Sequence, residues 1–288
     1  MPSMIELIKE LRDRTGAGMM DCKKALEAND SDVEKAIDWL REKGIAKAQA
    51  KASRIAAEGL ASVLVDGNRA VILEVNCETD FVAKGERFHK LVEDTAKETL
   101  ANGYASIEEA KTGVAQLFTD ATVAMGEKLD YRRFELVEKS DEQGFGSYIH
   151  MGGKIATLVV LEKADAELAR GLAMHIAANA PKYVKAEDIP QEVIQHERVI
   201  ALENMKNDPK MAGKPDAMLN GIADGKVKKL LAESVLGAQV YLLDGEKPVA
   251  EVLKATGNNV VKFIRFAVGE GIEKRKDDFA AEVMSQIK

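Results

Sequence analysis

Val71-Ile-Leu-Glu-Val-Asn-Cys-Glu-Thr-Asp-Phe-Val-Ala83 is the stretch from which the fold is read. An apolar, β-branched run passes through Asn76 and Cys77 into Glu78-Thr79-Asp80-Phe81-Val82, and helical spacing follows. Asp80 and Phe81 therefore stand where a strand hands over to a helix. Such connections run over the surface and often carry function. A carboxylate beside a large ring at that place reads as something presented to a partner. The plainer alternative makes Phe81 a core residue and Asp80 a helix cap.

Working outward, residues 60–65 and 70–75 read as two strands around Asp66-Gly67-Asn68, a hairpin turn signal. Downstream, a helix is predicted over 82–100, with Phe88, Leu91, Val92 and Ala96 on one side. A further helical stretch covers 107–126. A second copy of the plan is read from Arg132: a strand at 134–138, Gly146-Ser-Tyr-Ile-His150, the turn Met151-Gly152-Gly153, a strand at 155–161 and a helix at 166–178. Gly67-x-x-Ala70 before one inner strand matches Gly153-x-x-Ala156 before the other. This weak internal repeat predicts two related halves. The second half carries Glu162-Lys163-Ala164-Asp165 where the first has 77–81, so the ring is not shared.

The first 45 residues read as three short helices. Met4, Ile5, Ile8 and Leu11 share a face, Thr15-Gly16-Ala17-Gly18 breaks the pattern, and a second helix covers 19–27. Ser31-Asp32-Val33-Glu34 reads as a capping box for a third, with Val33, Ala36, Ile37 and Leu40 on its face and Gly44 as its stop. The Ala- and Lys-rich residues 46–58 read as a partly helical linker whose basic charge is either an interaction strip or a solvated face. Residues 187–232 read as an inserted helical hairpin, broken at Asn207-Asp208-Pro209 and Gly213-Lys214-Pro215. Ile194, Val199, Leu202 and Met205 form its first apolar stripe, which must bury on its partner helix, on the body or on another copy. A helix at 248–255, a strand at 260–268 and an amphipathic helix at 276–287 complete the chain. The expected domains are 1–45, the linker 46–58, a first core subdomain 59–140, a second at 141–270 with its insertion 187–232, and a C-terminal module 271–288.

Composition excludes several classes. The 288 residues include 41 basic and 48 acidic side chains, a net charge of −7. Nucleic-acid binding needs a concentrated basic surface, so no direct nucleic-acid partner is expected. No run approaches the roughly 18 apolar residues of a membrane span. The opening Met-Pro-Ser-Met-Ile-Glu does not read as a signal peptide. Cys22 and Cys77, far apart, fit two free thiols in a cytoplasmic protein. The histidines at 89, 150, 175 and 196 are scattered, without metal-ligand spacing. Neither a phosphate-binding loop nor a nucleophile elbow is present, and Glu78 and Asp80 have no histidine or nucleophile beside them. Lys23 and Lys24 after Cys22 would lower its pKa if they approached the sulfur, but a structural thiol is the simpler reading. His175, in an apolar helix, reads as a satisfied core histidine. No enzyme activity, cofactor or metal is expected. An alternative of a different class is a scaffold that only assembles partners.

Two long motifs then carry a resemblance. Leu11-Arg-Asp-Arg-Thr-Gly-Ala-Gly-Met-Met-Asp-Cys-Lys-Lys-Ala-Leu26 and Glu74-Val-Asn-Cys-Glu-Thr-Asp-Phe-Val-Ala83 resemble the two signatures of bacterial elongation factor Ts. The segments 146–150 and Phe263-Ile-Arg-Phe-Ala-Val-Gly-Glu-Gly-Ile-Glu-Lys274 agree, as does the order of the pieces. The resemblance implies an α+β fold: a three-helix, ubiquitin-associated-like N-terminal domain, a two-part core of antiparallel sheets packed with helices, an inserted helical hairpin and a C-terminal helix. It implies guanine-nucleotide exchange on elongation factor Tu, in its GDP-bound and nucleotide-free forms. Thr79, Asp80, Phe81 and Val82 are then expected to dislocate the magnesium site of Tu. Arg12, Met19, Met20, Met125, Gly126 and His150 are expected to make further contacts with it, the final helix to reach another face, and the hairpin to be a candidate homodimer element.

Overall fold

The computed structural model describes residues 2–208, 211 and 214–273, so the helix expected at 276–287 lies outside the described residues. The architecture is α+β, as the sequence predicts. It divides into two compact units. Among the described residues, one holds 2–138, 149–156 and 266–273; the other holds 139–148 and 157–265.

In the first unit, α1 (Met4–Thr15) starts at Ser3, whose side chain and that of Glu6 form a capping box, and ends at Gly16 with φ 71°. Next come α2 (Met19–Ala28) and α3 (Val33–Lys51). The three bury Leu11, Ala17, Cys22, Ala25, Leu26, Ala36 and Leu40 between them. Two sequence expectations need correction. The cap of α3 is Asp32, whose carboxylate accepts from the Lys35 amide at 3.1 Å, while Ser31 is in the left-handed region at φ 62°. Gly44 does not stop α3, which continues through half of the predicted linker. A Cβ at Gly44 would lie 2.4 Å from Val123 Cγ2, so the glycine permits close helix packing.

The sheet of this unit runs β1 (Glu58–Asp66), β2 (Arg69–Cys77) and β3 (Asp130–Glu138). β2 is central and antiparallel to both neighbours, with Leu60 opposite Val75 and Leu73 opposite Phe134. The strand read at 134–138 as the start of the second copy therefore closes the first sheet. Between β2 and β3 lie α4 (Asp80–Ala83), α5 (Glu86–Asn102), α6 (Ile107–Gly113) and α7 (Ala115–Met125). The helix expected over 82–100 begins only at Glu86, after Gly85, and the stretch 107–126 is two helices. Val71, Leu73, Val75 and Cys77 on one face of β2 meet Phe88, Leu91, Val92 and Ala96 of α5. This apolar layer anchors the strand from which the Asp80-Phe81 turn emerges.

The second sheet has the order β4 (Gly144–His150), β5 (Ile155–Leu161), β6 (Val260–Ala267). Both sheets thus consist of a hairpin, helices and a third strand added to the hairpin's second strand. In the second unit, α8 (Ala166–Asn179) covers β5, with Leu168, Leu172 and Ile176 packed on Val159 and Leu161. The insertion forms α9 (Gln191–Lys206) and α10 (Asp216–Ala232), joined side by side by Arg198, which donates to Asp224 at 2.6 Å and Asn220 at 3.0 Å. Met205 is buried, but Val199 is exposed rather than part of the buried stripe. α11 (Val249–Thr256) leads to β6.

Candidate partner-binding site

Chain direction and capping set the geometry of the Asp80-Phe81 turn. β2 ends at Cys77, and Thr79 stays extended at φ −123° and ψ 153°. Its hydroxyl accepts from the Val82 amide at 3.3 Å, making Thr79 the N-cap of α4. The Ala83 amide donates to the Thr79 carbonyl at 3.2 Å and closes a single helical turn. Ala83 is buried, and Val82 packs against the core beneath. With those positions facing inward, Phe81 faces out and is 88% exposed. Asp80 pairs with Lys84 one turn on, at 2.6 Å. That ammonium holds the Asp80 carboxyl below its ordinary range, and the ionised group suits the positive end of a helix.

The turn is tied down on its inner side. Glu127 accepts from the amides of Glu78 at 3.0 Å and Thr79 at 3.1 Å, and from the Thr79 hydroxyl at 2.6 Å. In return, the Glu78 carboxylate accepts from the Lys128 amide at 2.6 Å and from Arg54 at 3.1 Å. Burial works against ionisation of Glu78, but the Lys128 amide and Arg54 outweigh it and hold the carboxyl low. Cys77 Sγ lies 3.2 Å from the Thr79 carbonyl, to which it donates. Burial, with Glu127 nearby, pushes the Cys77 thiol up to about 12, so it remains a thiol.

Of the other expected contact residues, Met125 and Gly126 lie next to this turn. Met125 ends α7, half-buried against the core, and Gly126 follows at φ 71°, one residue before Glu127. Lys51 donates to the Gly126 carbonyl. Arg87, in the first turn of α5, donates to the Gly16 carbonyl at 2.8 Å and so brings the loop before Met19 against the helix that follows Phe81. Met19 and Met20 are 59% and 62% exposed. Arg12 is exposed on α1 but makes no described hydrogen bond to the turn. His150, half-buried, ends β4, and its carbonyl accepts from the amides of Gly153 and Lys154 at 3.1 Å each. Lys154 pairs with Glu58 at 2.7 Å, and its charge also favours the ionised form of Asp80. Met151, at φ 49° and 71% exposed, stands at the tip of that turn.

A model of the family described as Elongation factor TS matches residues 78–270. The chain is also 50% identical over 289 aligned positions to Elongation factor Ts of Acholeplasma laidlawii (strain PG-8A), covering 98% of this chain and 97% of that one. The chain belongs to the elongation factor Ts family. It is accordingly an elongation factor of protein biosynthesis.

Within this family member, some of the site escaped the sequence reading. Glu127, Lys128 and Arg54 carried no signal, since a charged residue after a helix end is ordinary. His175 sits elsewhere, in the second unit, fully buried. Its Nε2 bonds Gln239 at 2.9 Å, and its Nδ1 accepts from Asn179 at 3.0 Å and from the Leu242 amide at 3.1 Å. Those contacts use both ring nitrogens of a neutral imidazole. Among the described residues no cluster of His, Cys, Asp or Glu could hold a metal ion, and no helix is long and apolar enough to cross a membrane.

Proposed function

We propose that this chain is a guanine-nucleotide exchange factor for elongation factor Tu, and that it works by pressing Phe81 into the apolar surroundings of the magnesium site of Tu. The observation that carries the reading is a phenylalanine 88% exposed on a turn that donates three hydrogen bonds to one carboxylate. A single exposed apolar residue is common and needs no explanation. A ring fixed outward on a capped, tethered turn is different, because the ordering entropy of binding has already been met by the fold. Asp80 stands beside it, ionised, where it can compete for cationic or donor groups of the partner.

The chemistry required is displacement rather than bond making. A GTPase that holds GDP at about 1 nM and associates at roughly 10⁶–10⁷ M⁻¹s⁻¹ releases it at about 10⁻³–10⁻² s⁻¹. Peptide synthesis at roughly 5–20 residues per second needs faster turnover. Magnesium bridges protein and nucleotide phosphates, so moving its supporting residues weakens both attachments. By linkage, GDP weakens the factor's own binding to the same extent. We therefore assign no catalytic dyad and no cofactor. Met125 and Gly126, next to Glu127, are proposed to extend the contact, with His150 at the end of β4 and Arg12, Met19 and Met20 on the head. The flexible thioethers at 19 and 20 suit an adaptable apolar surface.

The test is release of a fluorescent GDP from elongation factor Tu. Phe81→Ala is expected to lower the factor-stimulated rate by about tenfold or more, the size of a central interface anchor. Its own melting temperature is expected to stay unchanged, because an exposed side chain contributes little to folding. A stimulated rate equal to that of the unaltered chain would reject the wedge.

A further inference from the structure

We infer that Glu127 is a positioning residue for the exchange reaction: its carboxylate holds the Phe81 turn in the geometry in which the ring meets the partner. The inference rests on the wedge reading of Phe81 given above. α4 is a single turn of four residues. Helix nucleation is unfavourable on its own, so so short a helix takes its shape from what it is tied to. Two of its ties are the inward residues Val82 and Ala83. Among its polar ties, Glu127 is the one that takes three donors at the start of the turn.

The bonding has a direction. The Thr79 hydroxyl has one proton to donate, and it goes to Glu127 Oε1 at 2.6 Å, leaving a lone pair for the Val82 amide at 3.3 Å. The carboxylate therefore orients the cap that starts α4. Its other oxygen takes the amides of Glu78 and Thr79, the two backbone donors between the strand and the turn. Glu78 answers by accepting from Lys128, so the segments 78–79 and 127–128 clasp each other through two carboxylates. The same loop reaches the end of α3: Lys128 Nζ donates to the carbonyls of Ala52 and Arg54 at 2.8 Å each. The clasp thus fixes the Phe81 turn against the segment that leaves the three-helix head.

Glu127 adds nothing to the apolar core, and the atoms it binds are partly open to water. Removing it leaves donors that solvent can satisfy, so the fold persists while the turn loosens. Displacing a reacting or wedging group by about 1 Å can cost as much as 100-fold in rate. The functional loss is therefore expected to exceed the loss of stability.

The experiment is a double-mutant cycle on the full chain with Glu127→Ala, Glu127→Gln, Phe81→Ala and the Glu127→Ala/Phe81→Ala pair. Fluorescent-GDP release from elongation factor Tu is measured at saturating factor, and amide hydrogen exchange at residues 78, 79 and 82 is followed by NMR in the free protein. Glu127→Ala is expected to slow stimulated release about tenfold. The same substitution is expected to have no further effect when Phe81 is already alanine, because it acts through that ring. Exchange at the three amides is expected to accelerate, and Glu127→Gln, which keeps one acceptor oxygen, to fall between. Release at the unaltered rate in Glu127→Ala, or full multiplication of the two effects, would overturn the inference while leaving the wedge intact if Phe81→Ala is slow. A fast Phe81→Ala would instead remove the wedge, and the role of Glu127 with it.

Discussion

Phe81 leaves 88% of its surface in water, forgoing roughly the 1.5–3 kcal/mol that burying a ring of its size would yield. The fold does so four residues after Cys77, which ends β2 wholly buried. With its thiol pushed up to about 12, Cys77 has almost no thiolate at pH 8. Cys22 is shifted upward as well, by burial first. Both thiols are expected to resist Ellman's reagent at pH 8 in the folded chain and to react fully in strong denaturant. Rapid stoichiometric labelling of the native chain would contradict this. His175 offers the corresponding test in the second unit. Burial lowers its pKa, against a smaller opposing effect from Gln239. The unfolded chain takes up the proton first, near pH 6.5. Stability is therefore full above about pH 6.5 and falls as the pH drops toward the lowered native value. His175→Gln is expected to shrink the fall in melting temperature between pH 7.5 and 5.5; an equal fall in both proteins would contradict it. At this scale the sequence was legible wherever the cause was local. Asp80 and Phe81 were readable because strand and helix patterns meet at their own positions, and His175 because its helix is apolar. Glu127 was not, because its three bonds reach back to Glu78 and Thr79 across the whole of α5–α7.

Most described elements agree in type with the sequence reading and differ from it at their ends, and α3 shows why. A glycine in a helix interior costs about 1 kcal/mol against alanine, so Gly44 reads as a stop. The reason it is tolerated lies in α7, 79 residues later in sequence for Val123 (123 against 44), whose Cγ2 fills the space a side chain would take. Arg41 adds a bond to Asp120 at 3.3 Å across the same seam. Gly44→Ala therefore sets a gain of about 1 kcal/mol in propensity against an overpacking cost of about 1–3 kcal/mol. The net expectation is a destabilisation of about 1 kcal/mol, read as a lower melting temperature. Adding Val123→Ala should recover part of that loss by opening the space. A Gly44→Ala chain more stable than the parent would show that the seam has slack. The split of the predicted helix 82–100 has a local origin instead. Local periodicity continues through Lys84 and Gly85, but the cap at Thr79 and the extended Gly85 at φ −75° and ψ 141° define two separate starts.

The repeat is the part of the whole molecule that sequence captured, though with the wrong junction. Two Gly-x-x-Ala signals marked the hairpins, and each hairpin does lead to helices and to a third strand on its second strand. The strand read at 134–138 as the start of the second copy belongs to the first sheet because strand pairing is non-local; nothing in its own residues says that Leu73 of β2 lies opposite Phe134. The least legible feature joins the most distant segments. Glu74, fully buried on β2, accepts from Arg132 at 2.9 Å and Arg133 at 2.6 Å on β3, and from the Gly269 amide at 2.8 Å beyond β6. Arg133 also donates to the Ala267 carbonyl at 3.1 Å and lies 4.2 Å over the Phe266 ring. One carboxylate thus secures chain separated by nearly 200 positions within the first unit. Read alone, Glu74 in an apolar strand looks like a polar interruption, and only the two arginines across the ladder explain it. Removing one partner of such a buried ion cluster leaves the others uncompensated. Because both guanidinium groups keep some access to water, Glu74→Gln is placed at the low end of that effect, about 3 kcal/mol. For a unit of this size the loss corresponds to a transition lowered by roughly 6–12 °C in calorimetry. Phe81 lies on the other side of Cys77 from this cluster, so exchange measured well below the transition should survive the substitution. A chain that melts unchanged would mean that water, rather than Glu74, satisfies Arg132 and Arg133.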